Sequence, residues 1–123
     1  MGREVLHKSY KELIVWQKAM DLVVEVYDLI VLLPKTEQYA LASQMRRAVV
    51  SIPSNIAEGN SRNTTKEYVQ FLNIALGSKA ELETQIEICK RLGYFTNTEK
   101  AEGLCEETGK MLNTIISKLP PKS

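Results

Sequence analysis

The side chains best suited to ligand chemistry are Arg46, Arg47, Arg62 and Lys66. Arginine forks and lysine ammonium groups pair with phosphate, and Arg62 and Lys66 flank Asn63-Thr64-Thr65, a polar loop leading into a helix N-terminus where phosphate is favoured. A second constellation is Arg47, Ser51, Asn55 and Glu58, whose steps of four, four and three place them on one helix face. Serine and asparagine are poor helix formers, so their place here needs a reason. One reading is a solvated face. The other is a partly buried polar seam, in which Ser51 and Asn55 satisfy backbone groups freed by Pro53 while Arg47 and Glu58 pair with a neighbouring helix. A third group is Gly77, Ser78 and Glu81. Glycine in mid-helix costs about 1 kcal/mol relative to alanine, and the usual compensation is close approach by another helix.

Catalytic and metal chemistry lacks its residues. His7 is the single histidine, precedes the first helix and has no cysteine or acidic cluster around it. The pairs Glu81 with Glu83 and Glu102 with Glu106 do not make the Glu-x-x-His motif of di-iron bundles. A Ser-His or Cys-His nucleophile fails for want of a helical histidine, and Gly59-Asn60-Ser61 lacks the phosphate-loop spacing. The reading is therefore no enzyme, no metal and no cofactor. Cys89 and Cys105 are offset along neighbouring helices, so they read as small apolar filler and not as a disulfide.

A chain of 123 residues suffices for one domain, spanning 1–123 with a core at about 9–118. Sixteen basic against 15 acidic residues give a net charge of +1, which argues against a strongly basic nucleic-acid binder of the histone type while leaving a local patch open. The longest aliphatic run, Leu29 to Leu33, falls far short of a membrane span, and Met1-Gly2-Arg3-Glu4 lacks a signal peptide's apolar stretch; a cytoplasmic location with no membrane partner is expected.

Capping boxes at Ser9/Glu12, Thr64/Glu67 and Thr96/Glu99, with Thr36 behind Pro34, mark four helix starts. Gly59 and Gly93 read as left-handed C-caps, and Pro120-Pro121 as the last stop. Between them the apolar period is 3.6: Leu13, Trp16, Met20, Val23, Tyr27 and Ile30; Leu41, Met45, Ala48, Ile52 and Ile56; Tyr68, Leu72, Ala75, Leu82, Ile86 and Cys89; Ala101, Leu104, Met111, Ile115 and Leu119. Helices of about 20 to 28 residues with short loops predict an all-α, antiparallel up-down four-helix bundle. Pro53 either kinks helix 2 or breaks it; the unbroken phase of Ala48, Ile52 and Ile56 favours the kink. Val24 and Val31 flank the helix 1 stripe, and Phe71 and Ile74 lie off the helix 3 stripe. Such extra apolar width predicts a homo-oligomer.

The same stretches resemble the four-helix-bundle family named after proteins encoded in 23S rRNA intervening sequences. The matching pieces are Leu13-Ile14-Val15-Trp16-Gln17-Lys18-Ala19, Tyr39-Ala40-Leu41, Gln44-Met45-Arg46-Arg47-Ala48, Ser51 through Gly59 with Arg62, Phe71 through Ser78, Glu81-Leu82-Glu83 and Leu92-Gly93-Tyr94. The one departure is Ala40, where the family has glycine. The resemblance implies a bundle that assembles as a ring of five, and it implies no activity. Accessory variability proteins of retroelements are similar in fold and bind nucleic acid and a reverse transcriptase through a basic surface. Two functions follow. One is a non-enzymatic structural or adaptor oligomer that binds another protein. The other is an RNA- or DNA-binding accessory protein using the Arg46, Arg47, Arg62 and Lys66 patch repeated around the oligomer.

Overall fold

The computed structural model describes residues 9–120. Four helices carry the fold: α1 (Ile14–Ile30), α2 (Leu41–Asn60), α3 (Thr65–Arg91) and α4 (Glu99–Lys118). Two short 3-10 turns, Tyr10–Glu12 and Lys35–Glu37, precede α1 and α2, and there is no strand among the described residues. His7 and Pro121 lie outside the described residues.

Each helix packs on two others: α1 and α3 both contact α2 and α4, so α1 and α3 lie on one diagonal of the bundle. Cross-helix pairs give the directions. Met45 meets Cys89, Ser51 meets Ser78, and Gly59 meets Tyr68, so α2 and α3 run antiparallel. Lys18 pairs with Glu107 and Glu25 with Lys100, so α1 and α4 do too. Lys79 against Gly109 and Lys90 against Glu102 give the same sense for α3 and α4.

Helix boundaries follow local chemistry, though not always at the residue the motifs mark. Thr64 caps α3 as its box requires, its hydroxyl accepting from the Glu67 N–H at 3.1 Å. Gly93 is left-handed (φ +80°), and its N–H reaches Lys90 O at 3.0 Å while the Tyr94 N–H reaches Cys89 O at 2.9 Å. This is the paired-bond Schellman ending that glycine permits. Three motifs act elsewhere. Ser9 caps the Tyr10–Glu12 turn, and α1 starts behind Leu13 with no side-chain cap. Thr36 sits inside the Lys35–Glu37 turn, and α2 starts behind Ala40. Thr98, not Thr96, precedes α4, and its hydroxyl donates to Glu102. Gly59 is no C-cap: α2 continues past it to Asn60, and the glycine is buried. The helix also runs through Pro53 unbroken, which removes the reading in which Ser51 caps a new segment.

The buried residues form one cluster. Every residue of the expected α3 stripe is buried, as are Met45, Ala48, Ile52 and Ile56 of α2. In α4, Ala101 and Leu104 are buried, but Cys105, Thr108 and Leu112 take the centre while Met111, Ile115 and Leu119 are half-buried. The α1 stripe is the correction. Val15, Ala19, Leu22, Val26, Leu29 and Ile30 face the core; of the expected stripe Ile30 is buried, Leu13, Trp16 and Val23 pack half-buried against the core, and Met20 and Tyr27 are exposed. Apolar side chains cover well over half of this helix's circumference, and periodicity alone fixes the width of such an arc, not which part of it faces inward.

Candidate functional site

The α2–α3 seam gathers part of the expected polar face. Ser51 and Ser78 hydroxyls bridge the two helices at 2.7 Å. Asn55 donates its amide to the Ser51 carbonyl at 2.8 Å and to the Ser51 hydroxyl at 2.9 Å, one turn back. All three side chains are half-buried, so each bond replaces one to water. Arg47 and Glu58 do not reach across to a neighbouring helix. Arg47 donates to Ser43 at 3.0 Å on its own helix, and Glu58 pairs with Arg62 at 2.6 Å. Both Arg47 and Glu58 are exposed, so the seam is a three-residue bridge with solvated ends.

The four cations do not form one patch. Arg46 is half-buried and donates to Gln38 at 3.1 Å, next to the start of α2. Arg62 lies beyond the other end of that helix, about 20 Å away at 1.5 Å per residue. There its guanidinium also lies 4.8 Å from the centre of the Phe71 ring. Lys66 is exposed in the first turn of α3. Arg46 with Arg47, and Arg62 with Lys66, are therefore two separate pairs.

Close helix approach falls on glycines other than the expected one. A Cβ at Gly77 would meet nothing within 4 Å, and Gly77 and Glu81 are both exposed; Glu81 accepts from Gln85 at 3.4 Å. Of that trio only Ser78 touches another helix. At Gly59 a Cβ would sit 2.8 Å from Phe71 Cβ and 3.0 Å from Tyr68 Cδ1. The signal was available: a hairpin centred on the loop at 61–64 sets Gly59 level with Tyr68. Gly109 is covered by the Lys79 side chain, 2.7 Å from where its Cβ would be.

Among the grooves on the surface, two lie between helices. One of about 650 Å³ runs between α3 and α4, with Gly103 and Gly109 on its floor and Glu83, Glu87, Glu102 and Glu106 along it. No group of three or more histidine, cysteine or acidic side chains among the described residues is placed to hold a metal ion. The other, of about 320 Å³, lies between α1 and α2 and is lined by Trp16, Met20, Val23, Val50 and Pro53. Burial pushes the Cys89 thiol up to about 11 and the Cys105 thiol up to about 12, with Glu37 and Glu83 respectively adding to it. Both cysteines are free and buried, so neither is a ready nucleophile.

Exposed apolar side chains are the surface's most unusual feature. Val24 and Val31 are 63% and 74% exposed, and together with Met20 and Tyr27 they make a second stripe on α1, at steps of four, three and four. On α3, Ile74 and Ile88 are exposed as well, as is Leu92 just past its end. Tyr39 is 97% exposed, an aromatic ring that composition alone did not reveal as a surface feature. No helix of the described residues is long and apolar enough to cross a membrane.

No curated protein matches the sequence. A crystal structure of a protein of unknown function from the S23 ribosomal protein family of Bacteroides thetaiotaomicron is similar at 27% identity and a TM-score of 0.78, over 85% of this chain and 100% of that one. The family model described as 23S rRNA-intervening sequence protein matches residues 11–114. With the four helices and the helix 2 motif in place over that span, the chain belongs to the 23S rRNA-intervening sequence protein family.

Proposed function

We propose that the chain acts as a non-enzymatic, self-associating helical bundle, a structural or adaptor protein of the cytoplasm that presents repeated surfaces to another protein. The observation that carries this is the second stripe of α1: Met20, Val24, Tyr27 and Val31 are exposed at helical spacing on a single copy. Water-exposed apolar area of this kind gains roughly 25 cal/mol per Å² when covered, and contiguous patches mark interaction surfaces. The ring of five implied by the family resemblance is one closed form of such an assembly. Sedimentation velocity at about 100 µM tests it, because any contact of micromolar strength is populated there. The expected result is an oligomer that Val24→Glu with Val31→Glu reduces to monomer. A wild-type chain sedimenting as a monomer at that concentration would sink the proposal.

A second reading, RNA or DNA binding, draws on Arg62 and Lys66 beside the N-terminus of α3, repeated around an assembly. Binding to RNA that weakens steeply with salt and is lost in Arg62→Glu with Lys66→Glu supports it. No measurable binding at low salt removes it.

A further inference from the structure

Tyr39 is the most exposed of the large apolar and aromatic side chains, at 97%, and it makes no hydrogen bond, ion pair or ring contact among the described residues. Tyrosine ordinarily covers its ring and leaves only the hydroxyl wet. Here both ring faces are in water. The ring is nevertheless firmly mounted. It stands between the Lys35–Glu37 turn and the start of α2, and each flank is tied down. The Ala40 N–H donates to Glu37 O at 3.1 Å, and the Gln38 N–H to Lys35 O at 3.2 Å. The Gln38 side chain donates to Leu33 O at 3.2 Å and accepts from Arg46 at 3.1 Å. The Tyr94 hydroxyl donates to the Glu37 carboxylate at 3.1 Å, which fixes the turn to the loop after α3. A bare ring on a pinned turn is preorganised for contact, with little ordering left to impose when a ligand arrives.

The free charge around it is of one sign. Lys35 and Arg47 are exposed, and Arg46 is half-buried beside Gln38. None of the three has a carboxylate within ion-pair distance among the described residues, whereas Arg62, Lys79, Lys90 and Lys100 each have one. No acidic residue occurs from Gln38 to Ala57. Glu37, the nearest carboxylate in the chain, is half-buried and engaged by Tyr94. At 1.5 Å per residue, Arg47 stands about 9 Å along α2 from Leu41. The ring and the three cations thus share the first turns of α2 and the turn before it.

We infer that this end of α2 binds single-stranded nucleic acid, with one unpaired base stacked on Tyr39 and the neighbouring phosphates met by Lys35, Arg46 and Arg47. A base offers its flat face to a side chain only when it is unpaired, and aromatic stacking with cations along the backbone holds a strand without regard to its sequence. An acidic polypeptide would engage the cations but has no face for the ring. The inference rests on the second reading above for its ligand class and moves the contact. Arg62 is engaged by Glu58 and the Phe71 ring at the other end of the helix, while the cations beside Tyr39 are open to phosphate.

Fluorescence anisotropy of an end-labelled oligouridylate or oligothymidylate of about 12 nucleotides, at about 50 mM salt, tests it. Both strands are expected to bind, since base face and phosphate are common to RNA and DNA, and the tighter arm identifies which of the two the site suits. A duplex of the same length should bind about tenfold more weakly, because its bases are already stacked on one another. Tyr39→Ala should weaken the single strand about tenfold, the scale of one stacked base, while Tyr39→Trp retains it. The ring touches nothing in the fold, so neither change disturbs the bundle. Lys35→Gln with Arg47→Gln should lower the slope of log affinity against log salt by about 1.4, from about 0.7 for each phosphate contact on a single strand. Unchanged affinity in Tyr39→Ala, or a duplex bound as tightly as the strand, overturns the inference. Binding kept in Tyr39→Ala and lost in Arg62→Glu with Lys66→Glu overturns it while the second reading stands. No binding by the wild type to either strand removes both.

Discussion

Helix α3 meets its two neighbours in different ways. Against α2 the approach is so close that Gly59 has room for no Cβ, two serine hydroxyls meet at 2.7 Å, and the Cys89 thiol lies 3.9 Å from the Met45 sulfur. Against α4 a groove of about 650 Å³ stays open, a Cβ at Gly103 would touch nothing, and long charged side chains bridge the gap: Lys90 to Glu102 at 3.0 Å and the Lys79 arm over Gly109. Where backbones come close, small residues are compulsory and the half-buried polar side chains bond to one another, Ser51 to Ser78 across the seam and Asn55 back to Ser51 on its own helix. Where they splay, small residues are spare and flexible charges suffice.

The sharpest way to break this contrast is Gly59→Ala. The new methyl group would press on Phe71 Cβ at 2.8 Å and on the Tyr68 carbonyl at 3.3 Å, and neither is the end of a flexible side chain. Overpacking of this kind costs about 1–3 kcal/mol, more than the roughly 1 kcal/mol that alanine gains in helix propensity. A lower urea midpoint is expected; an unchanged or higher one would mean that the α2–α3 approach is looser than described. Next in size is Ser51→Ala, which removes the Ser78 bridge and one acceptor of Asn55, for about 1 kcal/mol. Ser51→Ala combined with Ser78→Ala should cost less than the two single changes added together, since both remove the same bond. Additivity would show that the hydroxyls act separately.

How much of this was legible in the sequence differs by helix in the same way. The α3 stripe and the start at Thr64 could be read directly, because α3 is polar enough around its circumference for periodicity to mark the inward side. For α1 the apolar arc is too wide, and only the placement of α2 and α4 decides that Val15, Ala19 and Leu22 go inward while Met20 and Tyr27 stay out. The Ser51–Asn55–Ser78 bridge was half legible, since Ser51 and Asn55 share a face, but their partner depends on the register of α2 against α3. Arg47 and Glu58 share that face yet turn to their own chain, because long side chains at its rim reach local partners without crossing the seam. The cations are spread for a simpler reason: Arg46 and Arg47 lie in the first half of a 20-residue helix, and Arg62 and Lys66 lie beyond its far end.

On the loose side the expected effects are smaller and one has the opposite sign. Gly103→Ala should stabilise by about 0.5–1 kcal/mol, as alanine replaces glycine in an exposed helix interior with open space around it. A loss instead would mean that the groove is tighter than its lining indicates.

The smallest effect is set by charge. The Glu102 carboxyl is held below its ordinary value, first by the Thr98 hydroxyl and then by Lys90, whose ammonium is raised in turn by Glu102. A depressed carboxyl contributes stability that is present above the unfolded value of 4.5 and is lost as pH falls through the lower folded value. Lys90 stays charged throughout that window. In Thr98→Val the shape is kept and the hydroxyl removed, so wild type should lead at neutral pH and lose that lead progressively as the pH falls below 4.5. Ser51→Ala provides the contrast within the same protein, because Ser51, Ser78 and Asn55 carry no titrating group and its cost should be flat across the same range. If the Thr98 effect is equally flat, the Thr98 hydroxyl does not hold the Glu102 carboxylate in its charged form, and the start of α4 is set by packing and not by this contact.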